Sequence, residues 1–227
     1  MSFTDPSSAR AADVALGRDE AVARPDSRAV FGQVMGLVAV TVAFTAAGAY
    51  IGRDLTGGVG IAFFIGAIAC VIGLNVAARR SEPLAIVLLF TLGLLLGLAV
   101  GPVLNYYAKS DPGVLWQSAG ATAAFVGGLG AYGYATRRDF STWARSLFWL
   151  LLALIGFGIV LIFVNIPGGN LIYAVLGLVL FGAYTIFDFN RLRRANMDMS
   201  IPIAAGIFLD VFNIFLFFLQ IFGGTSR

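Results

Sequence analysis

The chain has 227 residues, of which 59% are hydrophobic and only 12% are charged. A soluble domain carries roughly twice that charged fraction, so this composition excludes an ordinary soluble protein. The formal net charge of +3 is small, and the arginine placement described below explains it without any nucleic-acid binding. The chain has no histidine, which excludes histidine-based metal sites and catalytic triads, and its single cysteine, Cys70, excludes an internal disulfide.

The first 29 residues are polar and carry acidic and basic side chains in similar numbers. No short apolar segment with a small-residue cleavage site precedes the first long apolar run, so we expect no cleavable signal peptide. The composition predicts a disordered cytoplasmic tail over residues 1–29, followed by a membrane domain over residues 30–227.

Seven apolar runs follow this tail, and each is long enough to cross a hydrocarbon core of roughly 30 Å. Backbone groups inside a bilayer must be satisfied within the chain, so we expect an all-α integral membrane protein with seven transmembrane helices. The predicted spans are 30–51, 57–78, 84–107, 114–136, 146–166, 169–190 and 201–222.

The lysines and arginines are distributed unevenly between the two sides of these spans. Twelve of the fifteen lie in the tail and in the second, fourth and sixth connections, and only three lie on the other side. By the positive-inside rule the N-terminus is cytoplasmic, and seven spans then place the C-terminus across the membrane.

Glycines at spacings of two or four residues occur within several spans, as in Gly93, Gly97 and Gly101, and in Gly156 and Gly158. Small residues on one face of a helix allow another helix backbone to approach closely in lipid. We therefore expect these glycines to lie at helix–helix contacts.

Two acidic residues, Asp188 and Asp210, fall within the predicted spans. An acidic side chain at the bilayer centre costs about 2.5–3.5 kcal/mol on insertion scales, which makes such residues candidates for function. Asp188 has an alternative explanation in a local ion pair with Arg191, three residues further along the helix. Asp210 has no basic residue within one helical turn on either side.

The short connection between the last two spans makes them antiparallel neighbours. A loose connection, or unwinding near Pro202 and Gly206, would bring the carboxyl groups of Asp188 and Asp210 together. Two carboxylates in a low-dielectric site cannot both ionise easily, so such a pair can share a proton. When both are ionised they form an acidic site for a hard cation such as calcium, with Asn213 supplying a further oxygen.

The segment FDFNRL, followed by FLDVFNIFLFFLQIFG, resembles the C-terminal signature of the Bax inhibitor family, the transmembrane BAX inhibitor motif proteins. The connection GYATRRDFS is similar to the middle loop of that family, and the seven-span layout agrees with it. The resemblance, to a bacterial member, implies a bundle with the last helix at its centre and a pH-sensitive calcium leak across the inner membrane. It implies that Asp188 and Asp210 share a proton there.

The resemblance also implies a basic latch at the inner end of the second span. Arg79 matches that position, with Arg80 as the next choice, although positive-inside placement alone also explains an arginine there. Two departures concern tyrosines that the family commonly has beside the acids. Phe187 and Phe208 stand at those positions, so two phenol hydroxyls are missing.

Other functions remain open at this point. The main alternative is a regulatory protein that carries out no transport and acts on a membrane-bound AAA protease through the tail. A proton-coupled transporter is less favoured because no internal repeat is visible. An intramembrane aspartyl protease is disfavoured because the acids lie in FD and LD contexts. We therefore expect that the protein is not an enzyme and has no cofactor. Its expected partners are the lipid bilayer, protons and calcium, which would be the permeant or transiently bound ion.

Overall fold

The computed structural model describes residues 27–56 and 58–225 of the chain. Residues 1–26 of the predicted tail lie outside this range. Residues 27–29, which we assigned to the tail, belong instead to the first helix. Seven long helices occupy the described residues: α1 Ser27–Ile51, α2 Val59–Ala77, α3 Glu82–Ser110, α4 Pro112–Ala135, α5 Trp143–Phe163, α6 Gly169–Leu192 and α7 Ser200–Thr225.

Six of these helices are long and apolar enough to cross a membrane, and α4 is the exception. Glycine and alanine make up twelve of the 24 residues of α4, and these small side chains add little hydropathy. The prediction of seven helices is confirmed for the described residues. Length and composition support membrane crossing for six of the seven helices, and membrane crossing by α4 stays a prediction.

The arginine-rich connections meet at one end of the bundle. Arg194, after α6, pairs with Asp139, after α4, at 3.0 Å. Arg79 and Arg80, after α2, line a cavity together with residues that lead into α7. Because the helices alternate in direction, the three basic connections share this end, as the charge pattern predicted.

Helices α1 and α3 pack through small residues. A methyl group added at Gly97 would collide with the Thr45 carbonyl oxygen, and one at Gly93 would lie 2.6 Å from that of Thr41. A methyl group at Gly101 would lie 2.7 Å from the carbonyl oxygen of Ala49. The glycine spacing therefore serves close helix approach, as predicted. Gly156 was predicted to act in the same way, but it faces open space because no other element covers that part of α5.

The last helix, α7, lies in the interior of the bundle and contacts α1, α2, α3, α4 and α6. In the most apolar 18-residue stretch of α7, 56% of the residues are buried inside the protein, whereas the corresponding value is 11% for α2 and for α5. The outer helices therefore turn most of their apolar side chains towards lipid, whereas α7 is surrounded by protein. This position puts Asp210, which is 3% exposed, in a low-dielectric environment.

Candidate functional site

Helices α6 and α7 run antiparallel and carry the two acids of the spans. The Asp188 side chain, on α6, is 6% exposed, and that of Asp210, on α7, is 3% exposed. Both lie within continuous helix, several residues from the nearest helix end. Neither acid is therefore a surface or loop residue, as the sequence analysis expected.

Glycine at position 206 makes room for the Asp188 carboxyl group on the surface of α7. A methyl group built at Gly206 would collide with Oδ2 of Asp188 and would lie 3.1 Å from the carboxyl carbon of Asp188. Gly206 precedes Asp210 by four residues, so the Asp188 carboxyl group lies about one turn from Asp210 along α7. The suggestion that α7 unwinds near Pro202 and Gly206 was wrong, because a missing side chain provides the space instead.

The two acids lie in neighbouring turns of the α6–α7 contact. The Asp188 carboxyl group lies against Gly206, and Asp210 follows Gly206 by one turn of α7. The Oδ2 atom of Asp210 is buried and has no hydrogen-bond partner. Buried polar oxygens are hydrogen-bonded in the great majority of cases, so this unpartnered oxygen makes Asp210 a candidate functional group.

Neither Asp188 nor Asp210 forms an ion pair within 4.0 Å with another described residue. The ion pairs that the structure shows join Arg53 to Asp54 and Arg194 to Asp139. A local ion pair with Arg191 therefore does not explain why Asp188 is buried. Arg79 and Arg80 are both exposed, and a latch formed by them stays a prediction.

Asn213, which we expected to supply an oxygen ligand, lies one turn after Asp210. Its Nδ2 donates a hydrogen bond of 2.7 Å to the carbonyl oxygen of Leu209 in the same helix. This bond fixes the amide nitrogen and leaves the amide oxygen as an acceptor.

Tyr184 is a neighbour of Asp188 that sequence reasoning missed. It precedes Asp188 by four residues, which is about one turn of α6, so the two side chains lie on the same face of that helix. Phe187 and Phe208 stand where the family commonly has tyrosine, yet a phenol still lies near Asp188. The spacing of four residues between Tyr184 and Asp188 was the signal available in the sequence.

Asn190 is a second missed residue, and it holds the arginine-rich end of α6 against the end of α4. It is 3% exposed, and its Nδ2 donates to the carbonyl oxygens of Gly133, Thr136 and Arg138 at 3.2, 3.4 and 3.1 Å. Arg194 donates in turn to Oδ1 of Asn190 at 3.0 Å. These bonds satisfy carbonyls at the C-terminal end of α4.

Asp139 completes this polar cluster outside the membrane-spanning segments. Its Oδ1 accepts a hydrogen bond of 2.9 Å from the backbone N–H of Ser141 and lies 3.0 Å from Arg194. The Ser141 bond first, and then Arg194, lower the pKa of Asp139 below its ordinary value of 3.8. Asp139 is therefore ionised at any pH near neutral.

Comparison with known proteins identifies the family to which the chain is similar. The model of the family described as "Inhibitor of apoptosis-promoting Bax1" matches residues 27–227. The chain belongs to the Bax inhibitor family. It is therefore a multi-pass membrane protein, and the resemblance stated from its motifs is confirmed.

Relatives of the chain occur in bacteria and in mammals. An uncharacterised protein of Helicobacter pylori is 29% identical over 163 residues, which cover 71% of this chain and 70% of that protein. Protein lifeguard 4 of Mus musculus is 29% identical over 168 residues, covering 74% of this chain and 69% of lifeguard 4. An uncharacterised membrane protein of Vibrio cholerae is 31% identical over 131 residues, covering 57% and 59% of the two chains.

Proposed function

We propose that the protein is a pH-sensitive cation leak channel, with calcium as the principal ion, and that Asp188 and Asp210 control it. The observation that carries this proposal is the placement of the Asp188 carboxyl group against Gly206, one turn from a buried Asp210 oxygen without a partner. The acid pair, with Asp188 on α6 and Asp210 on α7, would then lie inside the bundle.

The chemistry of the pair supports pH dependence. With one shared proton the pair carries a single negative charge, which allows α6 and α7 to pack closely. With both groups ionised, two negative charges repel each other in a low-dielectric interior. The same two carboxylates would then form an oxygen-rich site for a hard cation, with Asn213 Oδ1 within one turn. Arg79 or Arg80 would act as the latch when α2 moves towards the pair.

We place the protein in a bacterial inner membrane, with its N-terminus and arginine-rich end in the cytoplasm. The distribution of twelve basic residues against three supports this orientation. This orientation is tested by replacing Arg137 and, in a separate variant, Ser110 with cysteine and treating intact cells with a membrane-impermeant thiol reagent. Labelling of intact cells at Ser110→Cys but not at Arg137→Cys is expected.

The leak is tested with purified protein in liposomes that contain a calcium-sensitive dye. We expect calcium entry that depends on pH, and we expect Asp210→Asn and Asp188→Asn to flatten that dependence. Asp54→Asn is the matched control, because it removes the same charge from an exposed acid at the opposite end of the bundle. Wild-type leak rates and an unchanged pH profile in both Asn variants would exclude the proposal.

The alternative function, regulation of a membrane-bound protease, depends on residues 1–26, which lie outside the described residues. Deletion of these residues separates the two functions. A leak should survive the deletion because the acid pair is untouched, whereas a protease contact through the tail should be lost in a pull-down from membranes.

A further inference from the structure

A polar cavity of about 580 Å³ lies at the arginine-rich end of the bundle. Its walls come from α1, from the connection between α2 and α3, and from the turn that leads into α7. Its volume falls in the range of ordinary ligand sites, roughly 300–1,000 Å³. The polar side chains that line it are those of Gln33, Arg79, Arg80, Ser81, Glu82, Asp198 and Ser200.

One polar atom of this cavity lacks a partner. The Oε1 atom of Gln33 is buried and forms no hydrogen bond with another residue that the structure describes. Ser200, which also lines the cavity, is 1% exposed. Buried polar groups are hydrogen-bonded in the great majority of cases, so the Gln33 oxygen points to a ligand that supplies the missing bond.

The charges around the cavity are balanced and unpaired. Arg79 and Arg80 supply two positive charges, and Glu82 and Asp198 supply two negative ones. None of the four forms an ion pair within 4.0 Å with another described residue. Guanidinium groups suit a phosphate, and carboxylates suit an ammonium group. The cavity therefore fits a ligand that carries both groups.

The position of the cavity indicates where such a ligand comes from. Helix α2 ends at Ala77, α3 begins at Glu82 and α7 begins at Ser200. The cavity thus lies where the membrane-spanning segments end, which is the level of the lipid headgroups. A phospholipid in the same leaflet can reach it without leaving the bilayer.

We infer that this cavity binds the headgroup of phosphatidylethanolamine. Its phosphate would lie between Arg79 and Arg80, and its primary ammonium would lie between Glu82 and Asp198. Oε1 of Gln33 needs a donor, which an ammonium N–H provides and the quaternary ammonium of phosphatidylcholine does not. This inference does not depend on the proposed leak.

Native mass spectrometry of the purified full-length protein in detergent tests the inference. We expect half-saturation with dioleoyl phosphatidylethanolamine at about tenfold lower lipid concentration than with dioleoyl phosphatidylcholine. The double variant R79Q/R80Q should raise the half-saturating concentration of phosphatidylethanolamine about tenfold. The double variant R137Q/R138Q, which removes the same charge at the same end outside the cavity, should leave it unchanged.

Two further variants separate the two halves of the headgroup. R79K/R80K keeps the charge but loses the planar fork, so it should weaken binding less than R79Q/R80Q. E82Q/D198N should still bind phospholipid but lose the preference for phosphatidylethanolamine over phosphatidylcholine. Circular dichroism and gel filtration check that each variant is folded.

A soluble competitor decides between a lipid headgroup and free phosphate. Glycerophosphoethanolamine should displace bound phosphatidylethanolamine, whereas inorganic phosphate at the same concentration should not. Equal displacement by phosphate would show a phosphate site and overturn the inference. Equal binding of the two phospholipids, or equal loss of binding in R79Q/R80Q and R137Q/R138Q, would also overturn it.

Discussion

The α1–α3 pair and the α6–α7 pair both bring helices into close contact, but they do so with different chemistry. At α1–α3 the polar side chains of Thr41 and Thr45 donate to carbonyl oxygens of their own helix, at 2.7 and 2.9 Å. At α6–α7, one glycine receives the carboxyl group of Asp188, and the neighbouring Asp210 keeps an oxygen without a partner.

This difference separates packing from function. The α1–α3 contact is complementary in shape and satisfied in hydrogen bonding, so it holds one arrangement. The α6–α7 contact retains two acidic side chains, and burying such side chains within a membrane protein lowers its stability. Local violations of packing rules are expected where a protein acts, and the unpartnered Asp210 oxygen at the α6–α7 contact is one of them.

The largest effect is expected for Gly97→Leu at the α1–α3 contact. The new side chain would meet the backbone at Thr45 and Ala49, neither of which can rotate away. The helices must separate, and we expect a loss of about 3 kcal/mol or more in the free energy of unfolding. Thermal denaturation in detergent measures it, with Gly36→Leu, a position in α1 with no neighbour within 4 Å, as the control. Equal stability of the two variants would contradict the packing argument.

Asp210→Leu should have a smaller effect of opposite sign. It removes a buried acid whose Oδ2 has no partner, so the free energy of unfolding should rise by about 1–3 kcal/mol. Thr41→Val is the matched control at the other contact, because its hydroxyl is already satisfied within its own helix. A loss of stability in Asp210→Leu would show that the acid contributes to packing and would remove the contrast between the two contacts.

Gly206→Ala should change function more than stability. The added methyl group meets the Asp188 carboxyl group, which can rotate away, so stability should stay within about 1 kcal/mol of the wild type. The distance between the acids should change, and the pH at half-maximal calcium leak should shift. Gly120→Ala, in the interior of α4 with open space around it, should leave the leak profile unchanged.

Asp139→Asn should have the smallest effect. The pKa of Asp139 is lowered by the Ser141 N–H and by Arg194, so ionised Asp139 stabilises the folded state above its unfolded pKa. This contribution disappears as the pH falls through the lower pKa of the folded state. We expect a slightly lower melting temperature than wild type near neutral pH, and we expect the difference to shrink as the pH falls through the lowered pKa of Asp139. A difference that does not shrink with falling pH would show that Asp139 acts by packing instead of by charge.

The sequence by itself determined the helical architecture and its polarity. Long apolar runs can only be helices in a bilayer, and the arginines mark one end of each. Family membership and the choice of Asp188 and Asp210 also came from the sequence, because an acid within an apolar run stands out in composition. The spacing of Gly93, Gly97 and Gly101 indicated close helix packing correctly, because three small residues fall on one helix face.

Only the tertiary structure decided which groups meet across helices. The rotation of α6 places Asp188 against Gly206 and turns Asn190 towards the end of α4. Spacing along one helix fixes a face but not the helix it touches, so none of these contacts could be read from the chain. Arg79 shows the same limit, because its position at the end of α2 was predictable, whereas the cavity it lines with Gln33 is made by three separate segments.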